Sequence, residues 1–159
     1  MGGPFTREDG RGQIVTGHDC RGKYMLVYFG YAHCADVCPT TLSIITAALA
    51  LLGPKADRVI PLFIAVDPMR DTPTVMRRYT VRFFRQLVGL TGTPAEIAKV
   101  AGGSHVYYGK RPATPNSDDY SVDHSTAAYL MGPHGRFVAA ISIRASAQKL
   151  AGMLARVIS

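Results

Sequence analysis

Apolar residues in this chain come in short, dense runs. Tyr24-Met25-Leu26-Val27-Tyr28-Phe29 shows no apolar–polar alternation, which is the pattern of a strand buried on both faces. Val59 to Val66 reads the same way and is closed by Asp67-Pro68. Between them Leu42, Ile45, Leu49 and Leu52 recur at helical spacing. Pro39 suits that helix's first turn and Gly53-Pro54 its stop. Asp71 or Thr72 caps a second helix that has Pro73 just inside it and runs to about Phe84. Leu87 to Leu90 predicts a short strand, Thr93-Pro94 a helix ending at Gly102-Gly103, and His105 to Tyr108 a further strand.

A polar loop is expected over Lys110 to Asp123. Thr126 to Met131 and Phe137 to Ile143 then read as a hairpin around Gly132-Pro133-His134-Gly135, and a closing helix follows from about Ser146 to Val157. At the start, Phe5 to Thr16 reads as a hairpin turning at Asp9-Gly10-Arg11-Gly12. A βαβ unit followed by a hairpin and a terminal helix predicts an α/β, thioredoxin-like fold. Its central mixed sheet is flanked by helices, with an N-terminal β-hairpin added.

Length and composition narrow the class. With 159 residues and no dividing linker or internal repeat, a single domain over 1–159 is expected. Hydrophobic residues at 47% against 18% charged exclude a disordered tail or a highly charged coiled coil. No apolar stretch approaches the roughly 20 residues that cross a bilayer, and the N-terminus lacks a signal-peptide profile.

The net charge of +7 raises nucleic acid as a partner, yet the cations are scattered and no nucleic-acid-binding signature is present. The densest group is Arg77-Arg78, Arg82 and Arg85. It reads as a solvated helix face, or as an electrostatic guide toward an acidic protein or an anionic surface.

Chemistry concentrates at Cys34-Ala35-Asp36-Val37-Cys38-Pro39, the loop between the first core strand and its helix, where α/β sheets place ligand sites. Cys38 is expected at or next to the helix N-terminus, whose dipole and free N–H groups stabilise a thiolate. A thiolate serves both redox chemistry and soft metals. The plain alternative is that both cysteines are small buried hydrophobes.

Three residues separate the pair. Side chains four apart on a helix are about 5–6 Å apart at Cβ, whereas a disulfide wants about 3.8 Å. Two metal–sulfur bonds of about 2.3 Å span more than one sulfur–sulfur bond. The spacing leans toward metal and leaves a disulfide open.

Two thiolates need a further ligand. His18 and His134 fall in a connector and a turn, and His105 opens a strand. His33 adjoins Cys34, either beside the metal or unliganded. His124 follows the polar loop directly ahead of the next-to-last strand, a junction that packs against the cysteine loop in thioredoxin-like folds. Asp123 can orient it. Cys34, Cys38 and His124 form an S₂N set, and without a second paired motif they suit a transferable ion better than a structural zinc. Copper, as Cu(I) or Cu(II), leads. Cys20 stands apart, either buried or a source of dimers.

The segment Leu26 to Leu42, with Tyr31-Ala32-His33-Cys34-Ala35-Asp36-Val37-Cys38-Pro39 at its centre, resembles the signature of the Sco/SenC family. So do Val66-Asp67-Pro68-Met69-Arg70-Asp71-Thr72-Pro73 and Val122-Asp123-His124-Ser125, followed by Tyr129-Leu130. The resemblance runs from about Phe5 to the C-terminus. It departs at Ala35, where the family commonly has Pro, at Arg7 and at His134.

The resemblance implies a copper metallochaperone, not an enzyme, that binds one ion through Cys34, Cys38 and His124. It further implies a role in assembling the dinuclear copper centre of cytochrome c oxidase. The implied partners are the copper-receiving oxidase subunit, other copper chaperones and thiol reductants, with no nucleic acid. It implies a location on the periplasmic face of a bacterial inner membrane, or in the mitochondrial intermembrane space. The membrane is reached only through an anchor not present in this chain.

The alternative function is a thiol–disulfide oxidoreductase using Cys34 and Cys38 on the copper-receiving partner. A peroxidase of the peroxiredoxin type lacks its frame, since Ala35 stands three residues before Cys38 and Tyr31 three before Cys34, where that chemistry uses Thr. Asp67-Pro68 and Asp71-Thr72-Pro73 read mainly as loop shape, and Tyr28, Phe29 and Tyr129 as core.

Overall fold

A computed structural model of the chain describes residues 6–9, 14–16, 22–30, 37–65, 70–80, 82–83, 87–91, 95, 108–112, 120–124, 127–134, 136–142 and 144–158. Along these residues the strands are β1 (Thr6–Asp9), β2 (Ile14–Thr16), β3 (Tyr24–Gly30), β4 (Val59–Ala65), β5 (Val88–Thr91), β6 (Tyr108–Pro112), β7 (Tyr120–His124), β8 (Ala127–Met131) and β9 (Phe137–Ser142). The helices are α1 (Val37–Leu52), α2 (Pro73–Thr80) and α3 (Ala147–Val157), with a 3-10 turn at Gly53–Arg58 after α1.

β3 is buried at every position, which is what its unbroken apolar run requires of a central strand. It pairs in parallel with β4, from Tyr24 opposite Val59 to Gly30 opposite Ala65. On its other side it pairs antiparallel with β8, Met25 opposite Met131. The main sheet runs β2-β1-β5-β4-β3-β8-β9, and β6 and β7 form a separate antiparallel pair. The N-terminal hairpin therefore extends the sheet along β5, Glu8 opposite Thr91.

The crossovers β3-α1-β4 and β4-α2-β5 step across the sheet in one direction, so both helices fall on the same face. α3 joins them there. Leu42, Ile45, Ala48, Leu49 and Leu52 of α1, Met76 of α2, and Leu150, Ala151 and Leu154 of α3 close one core over Leu26, Tyr28, Phe63, Ala128, Leu130 and Ile141. Phe63 stacks on Tyr28 with ring centroids 6.0 Å apart and meets Tyr79 of α2 at 5.6 Å. Residues of the other face, Val27, Leu62, Ile64 and Tyr129 among them, are buried too. This is the thioredoxin-like arrangement expected. The helix expected after Thr93-Pro94 is helical at position 95 and otherwise lies outside the described residues.

Two expectations need correction. α2 ends at Thr80 and not near Phe84. There the backbone N–H groups of Arg82 and Phe83 donate to the carbonyls of Tyr79 and Thr80 at 3.3 and 3.1 Å, tight i-to-i+3 bonds that replace the α pattern. The β-branched Thr80 turns its hydroxyl onto the Arg77 carbonyl. Secondly, the polar segment 110–123 is not all loop. β6 and β7 pair within it, Tyr108 opposite His124 and Pro112 opposite Tyr120. A small strand pair need not carry the apolar alternation that marks a strand packed on a core.

Candidate metal centre

Because β3 and β4 are parallel, their carboxyl ends lie side by side, with Gly30 next to Ala65. Residues 31–36, which carry Cys34, and the segment leading to α2 both leave from that edge. α1 starts there and returns to the opposite end, where residues 53–58 deliver the chain to Val59. Gly53 takes the left-handed φ of 61° that reverses direction after the helix. Cys38 is thus the second residue of α1. Pro39, third in the helix, removes an N–H that no carbonyl within the helix would have used. The first turn carries no acidic residue, so its partial positive charge is open to an anionic ligand.

β8 runs antiparallel to β3, Tyr28 opposite Ala128, so it begins at the same end. His124 is the last residue of β7, three positions before Ala127. That leaves at most about 11 Å of extended chain between His124 and the edge where α1 starts the other way. The fold therefore brings Cys38 and His124 to one end of the sheet. Cys34, Cys20, His18, His33 and His105 lie outside the described residues, as do Asp67 and Arg85. Among the described residues no group of three or more His, Cys, Asp or Glu forms a metal-holding cluster. His124 closes a strand of the smaller sheet and does not follow a loop, which corrects its expected setting.

Other candidates resolve more sharply. His134 is exposed in the β8–β9 turn. Thr72, and not Asp71, caps α2: the Val75 N–H donates to Thr72 Oγ1 at 3.3 Å and the Met76 N–H to its carbonyl at 2.9 Å. Pro73 as first helical residue already makes position 72 the cap.

Asp71 is instead fully buried and engaged by partners. That is a costly place for a carboxylate unless it is paired or hydrogen-bonded. It stands two residues before α2, and its burial goes beyond the cap and loop-shape roles that the sequence suggests for it. Tyr28, Phe29 and Tyr129 are core as expected, the last two in an edge-to-face contact at 6.1 Å. Arg77, Arg78 and Arg82 are exposed.

A family model described as SCO1/SenC matches residues 1–159. Protein sco1 of Schizosaccharomyces pombe is 39% identical over 153 residues, covering 95% of this chain and 58% of that protein. The mitochondrial SCO2 homolog of Bos taurus is 40% identical over 156 residues, covering 97% of this chain and 58% of its own length. The chain thus spans little more than half of those relatives. Among solved structures, ScoI of Bradyrhizobium japonicum with copper bound is 44% identical, with a TM-score of 0.89 over 98% of both chains. Yeast Sco1 with copper bound is 35% identical, with a TM-score of 0.88 over 100% of this chain and 89% of the other.

Proposed function

The chain belongs to the SCO1/SenC family, and from that premise we propose that it is a copper metallochaperone whose ligands are Cys34, Cys38 and His124. The observation that carries the reading is topological. Cys38 in the first turn of α1 and His124 at the end of β7 share the end of the sheet from which the Cys34 segment departs. Close structural relatives of the chain hold copper.

Two thiolates and an imidazole form a soft, mixed set suited to Cu(I) and acceptable to Cu(II). Copper is cargo here. Three ligands leave the ion open to an incoming ligand of an acceptor, so it can be handed on by ligand exchange. The receiver in this reading is the copper-binding subunit of cytochrome c oxidase, and the setting is the periplasm or the mitochondrial intermembrane space, with the domain tethered to the membrane. The exposed Arg77, Arg78 and Arg82 give an acidic receiver a guide. Charge reversal there would slow transfer and weaken its salt dependence.

The test is an anaerobic titration of the reduced protein with Cu(I) and then Cu(II), beside His124→Ala. The expected result is one copper per chain and a sulfur-to-Cu(II) charge-transfer band that shifts or weakens in the variant. A wild-type chain that holds neither ion sinks the proposal. One observation favours a second reading: Cys38 sits at the positive end of a helix in a thioredoxin-like fold, a setting that favours thiolate chemistry. If His124→Ala kept full biological activity while Cys34→Ser or Cys38→Ser abolished it, the protein would be a thiol–disulfide oxidoreductase acting on its partner.

A further inference from the structure

β9 is the outer strand of the main sheet among the described residues, with β8 on its inner side only. An edge strand offers a row of backbone donors and acceptors to any extended chain. Natural edges are usually blunted, and β9 is blunted at one end alone. A bulge interrupts its register between Leu130 and Met131, where Met131 pairs with Phe137 and Leu130 with Ala139. From Ala139 to Ser142 the ladder is regular. Ala139, Ala140 and Ser142 there are small, Ile141 is turned into the core, and Phe137 and Val138 beside the bulge are 44% and 40% exposed.

Charge identifies the occupant. From Ser125 to Ser159 the sequence contains no Asp or Glu and carries Arg136, Arg144, Lys149 and Arg156. All four are exposed, and Arg136 and Arg144 bracket the strand. Neither has an ion-pair partner among the described residues. Antiparallel pairing of β9 with a second copy about its centre would bring Arg136 of one chain beside Arg144 of the other, a like-charge contact that opposes self-association. The same two cations suit an extended segment with carboxylates at its ends.

Register gives the direction of the edge. Ser142 lies opposite Ala127, and Ala127 begins β8 at the end of the sheet that holds Cys38 and His124. We propose that β9 is a docking edge for an extended, acid-flanked segment of another protein, added as a further strand along Ala139–Ser142. Main-chain hydrogen bonds supply affinity, Phe137 and Val138 an apolar anchor, and Arg136 and Arg144 the end contacts.

The test uses reduced, metal-free protein and a short alternating valine–threonine peptide with glutamates at both ends, followed by backbone amide shifts and amide exchange. Saturable shifts and slowed exchange centred on 139–142 are expected, with affinity falling as salt rises. R136E/R144E should lower affinity at least about tenfold. K55E/R58E, which changes net charge by the same amount in the exposed 3-10 turn after α1, should leave it within about threefold. A lysine-flanked peptide should not bind. Absence of saturable binding, shifts centred elsewhere, or equal losses in the two double variants would each overturn the proposal. So would concentration-dependent self-association through β9, which assigns the edge to a second copy. Binding of phosphatidylglycerol vesicles by these residues with no peptide binding would assign it to a lipid surface.

Discussion

Replacing Gly89 by alanine measures how closely α2 is held to the sheet that carries the proposed metal ligands at its end. Gly89 lies in β5 opposite Phe63. A Cβ at that position meets Thr80 Cγ2 at 2.8 Å, Met76 Cε at 3.3 Å and Met76 Cβ at 3.4 Å. The Met76 methyl is the far end of a flexible side chain and can move. The Thr80 methyl is harder to displace, because a β-branched side chain has few χ1 options and its hydroxyl donates to the Arg77 carbonyl at 3.4 Å.

Two effects oppose each other in G89A. Alanine restricts the unfolded chain and gains about 0.4–1 kcal/mol on that account, while overpacking a filled interior costs about 1–3 kcal/mol. A contact under 3.0 Å against a constrained methyl makes the second effect larger, for a net loss of about 0.5–2 kcal/mol. At this chain length each kcal/mol moves the melting temperature by about 2–4 °C.

Urea denaturation gives the free energy directly, provided the slope m is unchanged between variants. The companion substitution T80S removes Cγ2 and keeps the hydroxyl. In that background G89A should cost at least about 1 kcal/mol less than it does alone, a coupling expected of residues in contact. If G89A stabilises the otherwise unchanged protein, or costs the same in both backgrounds, the argument from the Thr80 contact is wrong.

Two further substitutions probe the frame behind the site. Phe63 is fully buried between Tyr28 and Tyr79, so Phe63→Ala should cost about 3–5 kcal/mol in the same urea assay, and a loss below about 1 kcal/mol would mean the core collapses around the gap. Ser146 Oγ accepts the Lys149 N–H at 3.2 Å and caps α3. Ser146→Ala should therefore cost about 1 kcal/mol and speed amide exchange in the first turn of α3, while Ser146→Asp keeps both near the starting values.

Much of the frame was legible because burial on both faces leaves an unmistakable trace. The unbroken runs at Tyr24 to Phe29 and Val59 to Val66 placed β3 and β4. The Leu42-Ile45-Leu49-Leu52 spacing placed α1, and Ser146 marked the start of α3. What escaped the sequence was held by less visible forces. α2 stops at Thr80 through local hydrogen bonds that compete with the helix, and composition cannot show where that competition is won. β6 and β7 pair in a polar segment where apolar periodicity gives no signal. Asp71 looked like a cap because Asp caps helices; its burial is set by tertiary packing, which local sequence pattern does not show.

Cysteine spacing and the position of His124 suggest the proposed ligand set, the family likeness implies the same three residues, and the topology adds a reason why such a set could work. β3 is buried along its whole length and locked between β4 and β8, so the strand that leads to the Cys34 segment is fixed at its end. Cys38 belongs to α1, whose apolar stripe is sunk in the core. His124 arrives from a different sheet altogether. If Cys38 and His124 are ligands as proposed, the set is split between a core helix and a separate strand pair, and a displacement of β6 and β7 would open it with no motion of the core. A carrier of the proposed kind, which must first hold an ion and then release it, would benefit from that division. On this argument, substitutions that loosen the β6–β7 pair should raise the copper off-rate well before they lower the unfolding free energy of the main sheet.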